Sequence, residues 1–512
     1  MMWQLVAFVA YFLLILAVGL VFFFKSKNAG EKDYFLGGRS MGPCVTAMSA
    51  QASDMSGWLL MGFPGSLLAF GMGKIWIGIG LALGTAANWI FIATRLRRFS
   101  KAAGDSITLP QYLTNRFATS NPALKIVCAV IFLISFTVYV ASAFSAGAKV
   151  MCAIIPWFNE TGNQLLAMVI FALLILAYTF MGGYKAVCWT DFFQGLMMLV
   201  ALLAVPIMMA TGDFDASLTS AFAEGVKPFE TNPFTVPWTD IVTGLAWGLG
   251  YFGMPHILVR FMAIEKSRMI KKSATVAIIW VVLTLGAAIL MAILGRTFLM
   301  GDTALAEVLL PGHQEDIFIT IAQYLFPPFI AGLLLAAIIA AAMSTADSQL
   351  LVASSSFTSD LYKPIIRKNK ASDKEMLWVG RAVVVVVSVV AFFIASSGGE
   401  WAGSIMSMVE NAWGLFGAAF GPVVILSLFW RRLNYSGAVS GIVVGAVVDI
   451  AWLLLFTDTI MPAAIAPTGI YEILPGFIAS LITTVVVSLA TPAPSAEVTA
   501  IFDTAVDTSI DD

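Results

Sequence analysis

The chain has 512 residues, 60% of them hydrophobic and 11% charged, with a mean hydropathy of +0.91. A soluble domain of this length cannot hide so much apolar surface, which excludes a soluble enzyme or a nucleic-acid-binding protein and indicates a polytopic membrane protein. The net charge of −2 says little by itself, because in such a chain the placement of charges matters more than their sum.

Taken in chain order, apolar stretches long enough to cross a bilayer recur about thirteen times: 3–24, 43–71, 76–94, 124–147, 164–181, 189–210, 238–258, 273–294, 323–348, 377–396, 403–430, 437–456 and 474–491. Each approaches the roughly 20 apolar residues that a spanning helix requires. The first lacks a basic leader and a small-residue cleavage site, so it is expected to be a retained span and not a signal peptide. The four cysteines (Cys44, Cys128, Cys152, Cys188) have no CxxC spacing, so neither a disulfide framework nor a metal centre is expected. No GxxxxGK[ST] loop appears, which leaves ATP-driven transport without support.

Orientation follows from the loops. With the loop after the first span placed inside and strict alternation thereafter, inside loops and their flanks carry 24 of the 28 Lys and Arg residues, Arg260 among them. That bias places the amino terminus outside and the short acidic tail, 492–512, in the cytoplasm.

Two spans contain helix-breaking sequence. The second holds Asp54-Met55-Ser56-Gly57 between apolar runs. The seventh holds Trp247-Gly248-Leu249-Gly250-Tyr251-Phe252-Gly253-Met254-Pro255. Glycine and proline weaken the helical ladder, so unwinding is expected in each. The two spans are five apart and therefore cross in opposite directions. Paired broken helices in inverted halves are the sequence signature of a secondary transporter's binding site.

A buried acid at mid-membrane costs roughly 2.5–3.5 kcal/mol unless it meets a cavity or a cation, so Asp54, beside Ser53, Ser56 and Gly57, is read as a binding residue. An unwound turn frees carbonyl oxygens of the kind hard cations prefer. In the ninth span, Ser344 and Ser348 share a helical face with Thr345 beside them, where back-bonding to the helix's own carbonyls competes with an ion-binding role. Asp347 is read as a water-facing acid near the cytoplasmic end, a candidate for an ion exit. Trp247 and Tyr251 offer apolar faces with one polar tip each, suited to a small-molecule pocket. Asp191 is expected to cap the sixth span. Glu410 and Asn411 are read equally as pocket lining and as interhelical hydrogen-bonding groups, and Asp449 as structural.

The stretches DYFLGGRSMGP (33–43), ASDMSGWLLMG (52–62), ITLPQYLTNRF (107–117), AWGLGYFGMPHILVRFMA (246–263), AAMST (341–345) and FGAAFGPVV (416–424) resemble the sodium:solute symporter family, its proline branch in particular. The resemblance runs from about residue 10 to 490. It implies an all-α polytopic fold with a five-plus-five inverted-repeat (LeuT-type) core, in which residues 43–210 and 238–430 are the two repeats. Residues 1–42 and 437–491 would then be peripheral.

By the same resemblance, Na+ would bind the backbone carbonyls of Ala52, Met55 and Ala341 with the hydroxyls of Ser344 and Thr345. Asp54, Ser56 and Arg39 would serve sodium coupling. L-proline would be bound at Asp54, Gly57, Tyr139, Trp247, Tyr251 and Pro255. The implied activity is sodium-coupled uptake of L-proline across a bacterial cytoplasmic membrane by alternating access. It needs no cofactor beyond the coupling ion, no nucleic acid and no obligatory protein partner, with membrane lipid as the surroundings. Gln51, Asp347 and the pair Glu410-Asn411 depart from the family's pattern. The alternatives within the fold are another small amino acid or carboxylate as substrate, and protons as the coupling ion. A transporter-derived sensor would need a signalling domain after the last span, where only about 20 residues remain, and a sodium channel would not need paired breaks.

Overall fold

The structure is a computed structural model, and it describes residues 2–25, 31–160, 162–181, 183–211, 229–300, 305–398, 404–457 and 467–507. Among them the only extended pairing is a single bridge between Met41 and Ile264; the rest of the regular structure is helical. Among the described residues eleven helices are long and apolar enough to cross a membrane, and the bent pair Trp238–Phe252 and Pro255–Ala263 forms another span. The remaining expected span is the second, whose pieces Pro43–Asp54 and Phe63–Phe70 are each too short to cross alone.

The spans read from sequence recur with shifted ends. The fourth is Ala123–Ile154, the sixth Tyr184–Ala210, the eighth Ile270–Met300 and the ninth Pro328–Ser355. The tenth is Asp373–Ser396, the eleventh Ile405–Phe429, the twelfth Tyr435–Phe456 and the thirteenth Ile473–Ala490. Apolar windows of the ninth and eleventh spans are 83% buried, against 28% for the first and tenth. The hydrophobic excess therefore divides into lipid-facing rim helices and a protein-enclosed centre.

Glycines set how closely the central helices approach. A methyl group on Gly80 or Gly84 of the third span would lie 2.4 Å from the carbonyl oxygen of Gly244 or Gly248 in the seventh. Backbone thus meets backbone at that crossing, as small residues permit in lipid.

Candidate functional site

The second span leaves helical geometry at Met55 (φ −83°, ψ 75°). Met55 N–H still donates to Gln51 O at 2.9 Å, but Ser56 N–H turns to Asp54 O at 3.0 Å instead of the carbonyl four residues back. The carbonyl of Ala52 is thereby left without its helical donor, and a buried acceptor must find another. It receives the Ser344 hydroxyl of the ninth span at 2.8 Å, and that same hydroxyl lies 3.1 Å from Ala341 O. Thr345 Oγ1, one residue on, is buried and has no partner.

Gly57 follows the break against the fourth span, where a Cβ would stand 2.8 Å from Ala146 Cβ. The helix resumes through a π-helical turn, Trp58–Gly62.

The seventh span unwinds into a tight 3₁₀ turn, Trp247–Phe252, and restarts with Pro255 in the first turn of Pro255–Ala263, where its missing N–H costs nothing. Carbonyls released by this turn are met by side chains. Trp413 Nε1–H donates to Trp247 O at 2.8 Å, and Asn88 Nδ2–H donates to Tyr251 O at 3.0 Å.

The two breaks meet at the acid. Tyr251 O–H donates to Asp54 Oδ2 at 2.6 Å, and Tyr139 of the fourth span donates its hydroxyl to Asp54 O at 3.2 Å. Asp54 is 1% exposed. Around it stand Trp58, with its ring centroid 6.2 Å from that of Trp247, and Trp413, edge-on to Tyr251 at 5.0 Å. The Trp247 indole N–H is buried and unpartnered. The arrangement joins a carboxylate, a cluster of oxygens on two helices, and an aromatic wall with an unused donor.

Of the residues singled out from sequence, Ala52, Asp54, Tyr139, Tyr251, Ala341 and Ser344 are joined by these hydrogen bonds, and Met55, Ser56, Gly57, Thr345, Trp247 and Pro255 belong to the same turns or helix faces. Arg39 lies elsewhere, at the basic end of the bundle. It pairs with Asp105 at 2.7 Å, donates to Ser106 O at 2.9 Å and reaches Met262 O. It thus ties the chain before the second span to the loop after the third and to the end of the seventh.

Three expectations are corrected. Asp191 does not cap the sixth span, which starts seven residues earlier at Tyr184. Asp191 is fully buried, pairing with Arg260 at 3.1 Å and accepting from Ser49 at 2.7 Å. Arg260 is not a loop cation; it is 1% exposed on Pro255–Ala263 and also bonds Ser348. Asp347 is not water-facing, because it is fully buried with neither oxygen partnered.

The Asp191–Arg260–Ser49–Ser348 network was missed from sequence. Its signal was a lone arginine inside the apolar helix PHILVRFMA, since such charges in a membrane interior nearly always have a partner. Among the described residues no group of three or more His, Cys, Asp or Glu could hold a metal ion.

The family model described as "Sodium:solute symporter family" matches residues 34–445. A curated protein named "Sodium/proline symporter" from Haemophilus influenzae is 40% identical over 507 residues, covering 98% of this chain and 97% of its own. The "High-affinity proline transporter PutP" of Bacillus subtilis is 42% identical over 488 residues, covering 95% and 98%. In the solved structure of a sodium-coupled sialic acid symporter, substrate-bound and outward-open, 20% of residues are identical, the TM-score is 0.72, and 96% of this chain and 98% of that one are covered. A nucleobase-cation-symport-1 transporter in a closed conformation matches with a TM-score of 0.56 at 16% identity, over 93% and 99%.

Proposed function

The chain belongs to the sodium:solute symporter family, and from that premise we propose that it carries L-proline into the cell together with sodium by alternating access. The fold is the LeuT-type one, and the two inverted repeats are assigned to residues 43–210 and 238–430. The amino terminus is assigned to the outside and the tail to the cytoplasm.

The observation that carries the reading is the double tie across the breaks. One tie joins Ser344 of the ninth span to the freed Ala52 carbonyl, and the other joins Tyr251 of the seventh to Asp54. Sodium is assigned to the carbonyls of Ala52, Met55 and Ala341 with the hydroxyls of Ser344 and Thr345. The hydrogen bonds at the break favour this set, because Ser344 Oγ already touches two of the carbonyls and Thr345 Oγ1 awaits a partner.

Proline is assigned to the space between Gly57 and the aromatic wall. Its carboxylate would lie toward the amides of the unwound second span, and its ring against Trp247 and Tyr251, with Tyr139 and Pro255 completing the walls. Because Tyr251 holds the carboxylate that neighbours the sodium oxygens, filling one site organises the other. By linkage each ligand must raise the other's affinity equally.

Arg39 is assigned to coupling at the cytoplasmic side, where its bonds to Asp105, Ser106 and Met262 have to break for inward opening. Asp347, though buried, stays the candidate for the sodium exit, since opening would uncover it.

Each sodium entering at −100 mV contributes about 2.3 kcal/mol. A tenfold gradient adds about 1.4 kcal/mol. Together they sustain roughly 500-fold accumulation at one sodium per proline. The decisive experiment is uptake of labelled proline into proteoliposomes with sodium replaced by potassium or choline. Uptake that persists without sodium, or that proline fails to compete, defeats the assignment.

A further inference from the structure

Away from this site, the eleventh, twelfth and thirteenth spans bury acids that nothing in the sodium and proline assignments uses. Asp449 is 1% exposed and Glu472 3%. Asp449 Oδ1 and Glu472 Oε1 are both buried without a hydrogen-bond partner. They converge on one point, because a methyl group built on Gly414 would lie 3.3 Å from the first and 3.4 Å from the second.

The three helices close tightly around them. A Cβ on Gly445 would meet Ala418 O at 2.4 Å, and one on Gly476 would meet Ala418 Cβ at 2.6 Å. The groups facing the pair are acidic or phenolic: Glu410 of the eleventh span, half-buried, and Tyr471, whose hydroxyl donates to Glu410 O at 2.6 Å. Lys74 is a cation neighbouring Glu410, and no salt bridge joins it or any other cation to Asp449 or Glu472 among the described residues. The segments 399–403 and 458–466, which flank the eleventh and twelfth spans in sequence, contain no Lys, Arg or His.

Two carboxylates without a cation cannot both stay ionised in such surroundings. Desolvation and mutual repulsion both disfavour the doubly charged state, and the pair titrates as a unit. A hard cation would ask for six or so oxygen ligands. Asp449 and Glu472 offer at most four carboxylate oxygens between them, and among the described residues no group of three or more His, Cys, Asp or Glu could hold a metal ion.

We propose that Asp449 and Glu472 form a proton-binding site beside Gly414, and that its proton holds the substrate pocket in its binding form. The link is Tyr471, adjacent to Glu472. Its ring lies 5.3 Å from that of Trp247, and its backbone N–H donates to Thr243 Oγ1 at 3.1 Å. Thr243 in turn donates to Gly469 O at 3.0 Å. The segment before the thirteenth span is thus sewn to the seventh on the side where Trp247 stands. When the carboxyl O–H gives its proton to water, two like charges remain at the closest packing of three helices. Their repulsion pushes Glu472, and Tyr471 with it, away from Trp247. The consequence for affinity rests on Trp247 lining the proline pocket; the proton site itself does not.

The test uses the purified full-length transporter in lipid nanodiscs. Infrared difference spectra follow the protonated-carboxyl carbonyl band, and calorimetry follows proline affinity in saturating sodium, both from mildly acidic to alkaline pH. In the wild type the band disappears as pH rises, and proline affinity falls about tenfold through the same interval, a size ordinary for coupled sites. Glu472→Gln and Asp449→Asn each abolish the band as it titrates in the wild type, the lone acid left behind protonating over a different pH interval, and each holds proline affinity nearly flat with pH because no like-charged pair can form. Both variants are made so that poor folding of one does not decide the matter. A band unchanged in both variants, or a wild-type affinity profile retained in both, overturns the proposal. A band that titrates in the wild type and is lost from that interval in both variants, with no proline binding at any pH, upholds the proton site and refutes proline as the substrate.

Discussion

Tyr251→Phe deletes one oxygen at the point where the two broken spans touch. The ring is 1% exposed and packs edge-on to Trp413, so the truncation leaves the packing intact and removes only the donor to Asp54 Oδ2 at 2.6 Å. A hydrogen bond to a charged, buried group contributes about 1.5–3 kcal/mol net. If sodium and proline binding both need Asp54 held in that orientation, the loss is transmitted to both affinities. Those energies correspond to a roughly 10- to 150-fold increase in the sodium concentration for half-maximal proline uptake.

The assay is initial-rate uptake of labelled proline into proteoliposomes over a sodium series. Calorimetric proline titrations with and without sodium accompany it, and matched thermal unfolding midpoints show that the fold survives. Partial recovery of rate at saturating sodium and proline is expected, because the remaining oxygens are untouched. A Tyr251→Phe transporter with wild-type sodium dependence and wild-type proline affinity would refute the idea that this bond couples the breaks.

Ser344→Ala removes a hydroxyl that touches two candidate sodium carbonyls; it should raise the sodium requirement by about tenfold or more while leaving uptake at saturating sodium largely intact. Asp54→Ala should nearly abolish sodium-driven uptake at unchanged protein level, and normal uptake would refute the role of that acid. Gly57→Ala sets a methyl 2.8 Å from Ala146 Cβ, so the turn must shift, and proline affinity should fall more than sodium affinity in calorimetry. At the basic end, Asp105 is held below the usual carboxylate range. Partial burial opposes this, but the hydrogen bond from Lys32 and the charges of Lys32 and Arg39 outweigh it. A lowered folded value means that its contribution to stability is present above the unfolded carboxylate value and fades as pH falls through the folded one. Asp105→Asn should therefore lower the unfolding midpoint slightly at neutral pH and flatten its acid-side decline. With 43% of the Asp105 side chain exposed, solvent screening keeps the effect small.

The sequence alone determined what depends on local composition. Bilayer length set the number of spans, and glycine, proline and one acid marked where two of them break. A run of apolar residues must become helix in lipid because no water is there to receive the backbone groups. Patterning could not say which face of a helix meets which neighbour. Only the tertiary structure decided that Ser344, 292 residues from Ala52, supplies the donor that the broken ladder lost, and that Arg260 turns inward to Asp191 instead of out to a loop. It also drew Asp449, read as merely structural, to within reach of Glu472 around Gly414. The reason is physical: buried polar groups choose partners by proximity in space, and span order along the chain does not fix that proximity.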